Sequence, residues 1–337
     1  PGLAFLCVAF PRKVVVIAGD TRQLPAVVPG GGESETCAAS VLSGSYYRNN
    51  VIVCTLSRTM RNKDDPEFSK MVDHIGDGTS VLDNDGLTTL YGLNTTQSLN
   101  DGIDFVFPPD VLIDPERCAR RCILTLHNDS VDRINDIILE RVPGDTVVLN
   151  GRTLLDHENQ EADISDAFQM SDYLCHLAHN GVPAVTLRLK KGVIVMLCRN
   201  MSVDDRLTNG SKVIVIDILP YTLLVQTLDS KPLHWLPRIT FNFVSWHGVA
   251  VTRVQFSVRL CYCVTAHRAQ GQTLDRTCFD LTRHPFAHGH LYVGLSRVRR
   301  SADMLILTTA DSIDNDGFAK VEKFLYRDLL PVVHCDD

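Results

Sequence analysis

The stretch from Val264 to Arg297 constrains the fold of this chain more than any other, because two clusters of polar residues bracket a strand within it. It reads VTAHRAQGQTL, then DRTCFDLTRHPF, then AHGHLYVGLSR. The first cluster, Thr265, His267, Arg268, Gln270, Gly271, Gln272 and Thr273, holds too many hydrogen-bonding groups for a buried segment, yet it follows the apolar run from Val258 to Val264. Such groups belong at a strand end, where loops carry function. The second cluster, His288 to Arg297, sets Leu291, Leu295 and Val298 at helical spacing with Arg297 off that stripe. An arginine held there can reach a phosphate.

The 337 residues suffice for about two domains with proper cores. A hydrophobic content of 45% with 22% charged residues argues against disorder. The net charge of -7 does not favour nucleic-acid binding, but affinity depends on local phosphate neighbours rather than on the total. From Arg259 to Arg300 seven arginines face only Asp275 and Asp280, a local excess of five positive charges, and acid collects instead in the tail from Asp311 to Asp337. The eleven cysteines are odd in number and sit mostly in apolar runs, which suits reduced, buried thiols of an intracellular protein better than a disulfide scaffold. No apolar stretch approaches the roughly 20 residues that span a bilayer, so no membrane partner is expected.

Two further segments carry polar chemistry. GDTRQLPAV at 19–27 follows the strand-like run from Val14 to Ile17, and TLSRTMRN occupies 55–62. Five elements then stand in order: GDTRQLP (19–25); MR (60–61); LRLKKG (187–192) with RN (199–200) and NG (209–210); HRAQGQTL (267–274); and HGHLYVGLSR (288–297). They resemble the GDxxQLP, (M/F)R, LRLKxG plus NG, KSQGQTL and HGQLYVALSR motifs of the superfamily-one DNA helicases of the PIF and RecD-like branch, most closely the version carried by Helitron rolling-circle transposons. Any one of them occurs by chance; five in sequence, from about residue 13 to residue 309, hardly do.

The resemblance implies an α/β protein of the RecA-like P-loop NTPase fold with a small SH3-like β-barrel inserted. Residues 1–53 would end the first RecA-like domain, whose parallel sheet needs neighbouring strands to bury both faces. Residues 54–199 would begin the second such domain, with a helix from Pro66 to Ile75, a variable surface insertion near 79–110 and a βα unit from a strand at 122–128 into a helix from Val131 to Arg141, capped by Asp129 or Ser130. Short β-rich runs between 181 and 258 suggest a small barrel, placed at 200–256. Residues 257–310 would complete the second RecA-like domain, and 311–337 would form a terminal helix and tail.

The resemblance also implies ATP with Mg2+ as cofactors, and single-stranded DNA and duplex/single-strand junctions as partners. Asp20 and Gln23 would lie at the nucleotide, Gln23 sensing the γ-phosphate. Arg61 and Arg297 would be the two arginine fingers, whose planar fork meets charge developing on phosphate oxygens. Gln270 and Gly271 would border the nucleotide, while Thr265, His267, Arg268, Gln272 and Thr273 would grip the DNA backbone. Arg268 replaces the family's Lys and Ala269 its Ser, so charge is kept and one hydroxyl lost.

No GxxxxGK[ST] loop occurs in the sequence, and the glycines at 30–32 lead to no Lys-Ser or Lys-Thr, so they read as a surface loop. The chain is therefore expected to be the C-terminal portion of a helicase, broken between the family's second and third motifs and inactive alone. Fusion to an upstream rolling-circle replication domain, residence in the nucleus, and a role in DNA repair or recombination, telomere maintenance or Helitron transposition belong to the same expectation. The alternative is a non-enzymatic, transposon-derived DNA-binding remnant. A zinc reading of His284, His288 and His290 is disfavoured for want of a Cys or acidic fourth ligand at suitable spacing, and no metal ligand is assigned within the chain. Cys118, Cys122 and His127 read as core and strand residues. Trp235, Phe241, Phe243 and Trp246 can serve as barrel core or as stacking platforms, the core being preferred.

Overall fold

The computed structural model describes residues 3–10, 13–26, 28, 30–40, 52–55, 60–155, 181–229, 231–244 and 250–329. The chain divides into two compact units. One comprises Pro1–Val106, Arg120–Asn128 and Val264–Asp337, and the other Phe107–Ala119 and Asp129–Cys263.

The first unit is built on a five-stranded sheet in the order Cys263–Thr265, Arg121–Thr125, Arg276–Asp280, Met304–Leu307, Asn94–Thr96. Four of its strands, Arg121–Thr125 through Asn94–Thr96, pair in parallel. Parallel strands covered on both faces read as continuous apolar runs, and Cys122, Ile123, Leu124, Cys278, Phe279, Met304 and Ile306 are all sealed from solvent. Adjacent strand residues point to opposite faces. On one face the helix Leu99–Val106 packs against Arg276–Asp280, and a Cβ at Gly102 would lie 2.8 Å from the Cys278 sulfur. On the other face the helix His290–Leu295 lies so close that a Cβ at Gly294 would come within 2.2 Å of the Phe279 ring. That helix also packs on Pro66–Gly76, which Asp65 caps by accepting the Phe68 amide at 3.1 Å.

Three expectations need correction. The stretch near 79–110 is not a surface insertion: Leu90, Leu93, Ile103 and Val106 are core residues, and Asn94–Thr96 is an edge strand of the central sheet. Its apolar residues are too irregular to show a period: Leu90, Leu93, Ile103 and Val106 are buried, while Val81, Leu82 and Tyr91 are exposed. The strands Leu3–Phe10, Lys13–Asp20 and Ile52–Thr55 form an antiparallel sheet, not a parallel one. Two residues separate the first pair, enough for a hairpin and far too few for a parallel crossover. Over its described residues, the segment from 311 onward holds 3-10 turns and the strand Lys320–Glu322, which pairs antiparallel with Leu87–Thr89, rather than a terminal helix.

The second unit is dominated by a seven-stranded sheet in the order Val258–Leu260, Ile194–Leu197, Lys212–Ile218, Thr222–Thr227, Leu233–Val244, Ala250–Phe256, Arg152–Leu155, antiparallel throughout. Phe241 and Phe243 pack with Val182 and Val251 in its core, while Trp235 stands half exposed; Trp246 lies outside the described residues. The helix expected from Val131 starts earlier, spanning Asn128–Arg141. It buries Ile134, Ile138 and Leu139, and its Asn135 amide exchanges two 2.9 Å bonds with the backbone of Cys263.

Candidate nucleotide and DNA site

The site grows from the end of the strand Lys13–Asp20, where the chain turns and Asp20 becomes the centre of a polar network. The Asp20 carboxylate accepts the Arg22 amide at 3.2 Å, the Gln23 side-chain amide at 3.0 Å and the Tyr292 hydroxyl at 3.0 Å. With its amide tied to Asp20, the Gln23 side chain offers its oxygen outward, and Gln270 donates to that oxygen at 2.9 Å. The GDTRQLP loop and the HRAQGQTL loop thus meet glutamine to glutamine.

Arg22 holds the turn from below. Its side chain is 2% exposed, donates to Asp73 at 3.0 Å and Asp77 at 3.2 Å on the helix Pro66–Gly76 and its C-cap, and lies over the Tyr292 ring at 4.8 Å. Burial works against the Arg22 charge, but Tyr292, Asp20, Asp77 and Asp73 outweigh it and raise its proton affinity. Burial likewise drives the Tyr292 phenol up, aided by the Asp20 charge, so it remains a hydrogen-bond donor. His288 closes the same turn. One ring nitrogen bonds the Thr21 carbonyl at 2.9 Å, and Nδ1 receives the Tyr326 amide at 2.9 Å. An amide can only donate, so Nδ1 accepts, Nε2 carries the proton and the ring is neutral; burial lowers its proton affinity accordingly. Gly289, at φ 76°, lets the backbone pass where a Cβ would strike the Arg22 carbonyl at 2.5 Å.

The two sequence-assigned arginines differ in their freedom. Arg61 donates to the Ser296 carbonyl at 2.6 Å and stays partly accessible. Burial lowers its proton affinity, opposed by Tyr292 and reinforced by Arg299. Arg297 is 1% exposed, and its guanidinium is spent on the protein: Nε donates to Val293 O at 2.7 Å, Nη1 to Gln272 O at 3.1 Å and Ala269 O at 3.5 Å, and Nη2 to Ser296 Oγ at 2.5 Å. Burial, then the nearby Arg61 charge, pushes it down to about 10. In this conformation Arg297 pins the 269–272 loop from beneath.

Of the residues assigned to a DNA grip, His267 and Thr273 are exposed, and Arg268 and Gln272 half-buried, with the Gln272 amide donating to the Arg268 carbonyl at 3.1 Å. Gly271 turns the loop at φ 82° with open space where a Cβ would go. Thr265 is the exception. It is buried, and its carbonyl accepts the Arg268 and Ala269 amides, so it builds the turn instead of facing outward. The three histidines weighed for zinc go separate ways: His284 takes the Glu322 amide, His288 spans Thr21 and Tyr326, and His290 packs on Phe286.

Sequence reasoning missed Arg22, Tyr292, Asp73 and Asn62, whose amide donates to the carbonyls of Val298 and Arg299. Arg22, Tyr292 and Asn62 were within reach, since each lies inside or beside a recognised motif. The pair Asp73 and Asp77 reads from sequence as a solvated helix face.

A family model for PIF1-like helicases matches residues 7–86, and one for the 2B domain of the DNA helicase Pif1 matches residues 172–218. The ATP-dependent DNA helicase PIF1 of Xenopus laevis is 25% identical over 301 residues, covering 87% of this chain and 40% of that protein. The Homo sapiens protein of the same name is 26% identical over 302 residues, with the same coverage of 87% and 40%. The chain thus spans about two fifths of the length of the curated relatives it matches. Among solved structures, Pif1 helicase from Candida albicans superposes with a TM-score of 0.57 at 22% identity, covering 93% of this chain and 66% of that one. A second, described as the structural basis for DNA unwinding at forked dsDNA by two coordinating Pif1 helicases, gives 0.53 at 18% identity, covering 85% and 58%. These two likenesses speak for the fold, which is RecA-like. Ordered motifs, two family models that each match part of the chain, and that fold agree in making the chain similar to the PIF1-type helicases of superfamily one.

Proposed function

We propose that this chain acts in ATP-dependent DNA unwinding, as the part of a helicase that couples the state of a nucleotide to a grip on single-stranded DNA. The observation that carries this reading is the 2.9 Å bond from Gln270 to Gln23, because it ties the loop assigned to the γ-phosphate to the loop assigned to the DNA backbone. A change at the phosphate that moves Gln23 is then felt at Gln270, four residues before the end of the HRAQGQTL loop. Arg61 supplies the accessible guanidinium for phosphate charge, and Mg2+ would be held with ATP outside the residues named here. The antiparallel sheet of the second unit is read as the SH3-like accessory domain. Movement 5′ to 3′, action at duplex/single-strand junctions, a nuclear role in repair, recombination, telomere maintenance or Helitron transposition, and a Helitron origin complete the proposal.

Strand displacement on a forked duplex with ATP tests it, using the chain alone and joined in cis to a segment bearing a GxxxxGK[ST] loop. Displacement that requires the loop and a 5′ single-stranded tail is expected. Binding to single-stranded DNA with no displacement in either form would favour a non-enzymatic DNA-binding remnant. No DNA binding at all would overturn both.

A further inference from the structure

At the edge of the HRAQGQTL loop the fold leaves a large ring uncovered. Phe286 is 53% exposed, although it sits in a unit that buries Phe279, Leu291 and Leu295 completely or nearly so. It lies against two other rings. His127 meets it at 4.9 Å between centroids with planes tilted by 33°, and His290 meets it edge-on at 4.7 Å and 78°. These rings follow neighbouring strands of the central sheet: His127 in the loop after Arg121–Thr125, Phe286 in the loop after Arg276–Asp280, and His290 at the start of the helix His290–Leu295 that comes next. The loop after the next strand in that order, Cys263–Thr265, carries His267 and Arg268. In open α/β sheets the loops beyond the carboxyl ends of the strands are where ligands bind.

The histidines are kept for their ring faces. His127 Nε2 and His290 Nδ1 are buried and have no hydrogen-bond partner, which costs the fold wherever a polar atom is left unpaired. Burial holds His290 well down, at about 4, so that ring is uncharged at neutral pH. The surroundings are cationic, with Arg268 in the adjacent loop, Arg283 in the loop that bears Phe286, and a formal excess of five positive charges between Arg259 and Arg300. A flat, neutral, exposed ring beside phosphate-seeking groups matches a nucleotide, which offers a π-face and an anion together.

We propose that Phe286, braced by His127 and His290, is a stacking platform for one nucleobase of a single DNA strand whose backbone lies toward Arg268. This inference rests on the DNA reading above and adds to it a contact with a base, where the motifs supply contacts to phosphate. Stacking is indifferent to base identity but needs a base to be present.

The test is fluorescence anisotropy with the full chain, comparing labelled oligothymidine with an abasic oligonucleotide of the same length. The unaltered chain should prefer oligothymidine, and Phe286→Ala should weaken oligothymidine binding roughly 5- to 150-fold while leaving abasic binding unchanged. Its salt slope should not move, because no charge is lost. Phe286→Trp should retain the preference, and its added emission should be quenched by oligothymidine and not by the abasic strand. If the unaltered chain binds both oligonucleotides equally, or if Phe286→Ala keeps the preference, the platform is refuted while the DNA reading stands. If the chain binds neither, both fall. A change in sedimentation of Phe286→Ala with DNA binding intact would assign the ring to self-association and likewise overturn the proposal.

Discussion

Removing the Arg297 guanidinium should loosen the loop that carries Gln270 and Gln272, and the structure sets the size of the effect. Three of its four hydrogen bonds are 3.1 Å or shorter, to Val293 O, Gln272 O and Ser296 Oγ. Bonds from a charged donor contribute about 1.5–3 kcal/mol each. Against them stands the cost of keeping the charge buried beside Arg61: the fall from 12.5 to about 10 corresponds to roughly 3 kcal/mol. The balance is on the order of 3 kcal/mol in favour of the intact side chain, in line with the loss seen when one partner of a buried charged contact is removed. Arg297→Ala should therefore raise amide exchange about a hundredfold at Gln272 and Leu274, whose amides bond Ala269 O and Arg297 O. Arg297→Lys should fall between, since an ammonium keeps the charge but loses the fork. Hydrogen-exchange mass spectrometry on peptides covering 267–274 reads this directly. Exchange unchanged in Arg297→Ala would refute the anchoring role and leave the guanidinium free for a phosphate.

Arg268→Ala should weaken oligothymidine binding and reduce the logarithmic salt slope by roughly 0.7, the value for one phosphate contact on a single strand, whereas His267→Ala should weaken binding with little change in slope; anisotropy across a salt series separates the two. Acid should destabilise the first unit in part through His290: an unfolded histidine near 6.5 takes up its proton before the folded one at about 4, so this contribution is present above pH 6.5 and is lost as pH falls toward 4. His290→Gln should then recover roughly 2–3 kcal/mol of the loss between pH 7 and 4.5, and melts of both proteins showing the same acid sensitivity would contradict it. Gly294→Ala should cost about 1–3 kcal/mol, because the new methyl meets the Phe279 ring, although the resembled motif carries alanine there. Phe279→Leu in the same chain should return most of that loss in a denaturant titration, and an additive double mutant would show the two sites to be independent.

The parts of this protein that were legible from sequence are those where function demands a side chain at a fixed place in a turn. Asp20, Gln23 and Gln270 could be named because each lies just beyond an apolar run and inside a motif that resembles those of the helicase family. Arg22 lay in the same motif and was passed over, since nothing local shows that its partners are Asp73 and Asp77, some fifty residues away. Tyr292 was hidden differently: among Leu291, Val293 and Leu295 an aromatic residue looks like core, and only the arrival of Asp20 gives its hydroxyl a purpose. The stretch from 79 to 110 failed because the eye looks for periods of 2.0 or 3.6 residues, and an edge strand of three residues followed by a two-turn helix is too short for either. The opening hairpin was legible in its two-residue connection, and the family resemblance obscured it.

The central parallel sheet also bears on how the chain is made. Asn94 pairs with Leu305, and Ile123 with Cys278, so the sheet of the first unit cannot close until the far end of the chain has been synthesised. The second unit has no such delay, because its neighbouring strands are mostly consecutive hairpins that pair as soon as they emerge. Contacts distant in sequence form slowly and expose apolar strand edges in the meantime. During translation the segment up to Val106 must therefore wait, with Leu90, Leu93 and Ile103 uncovered, while the inserted unit folds ahead of it.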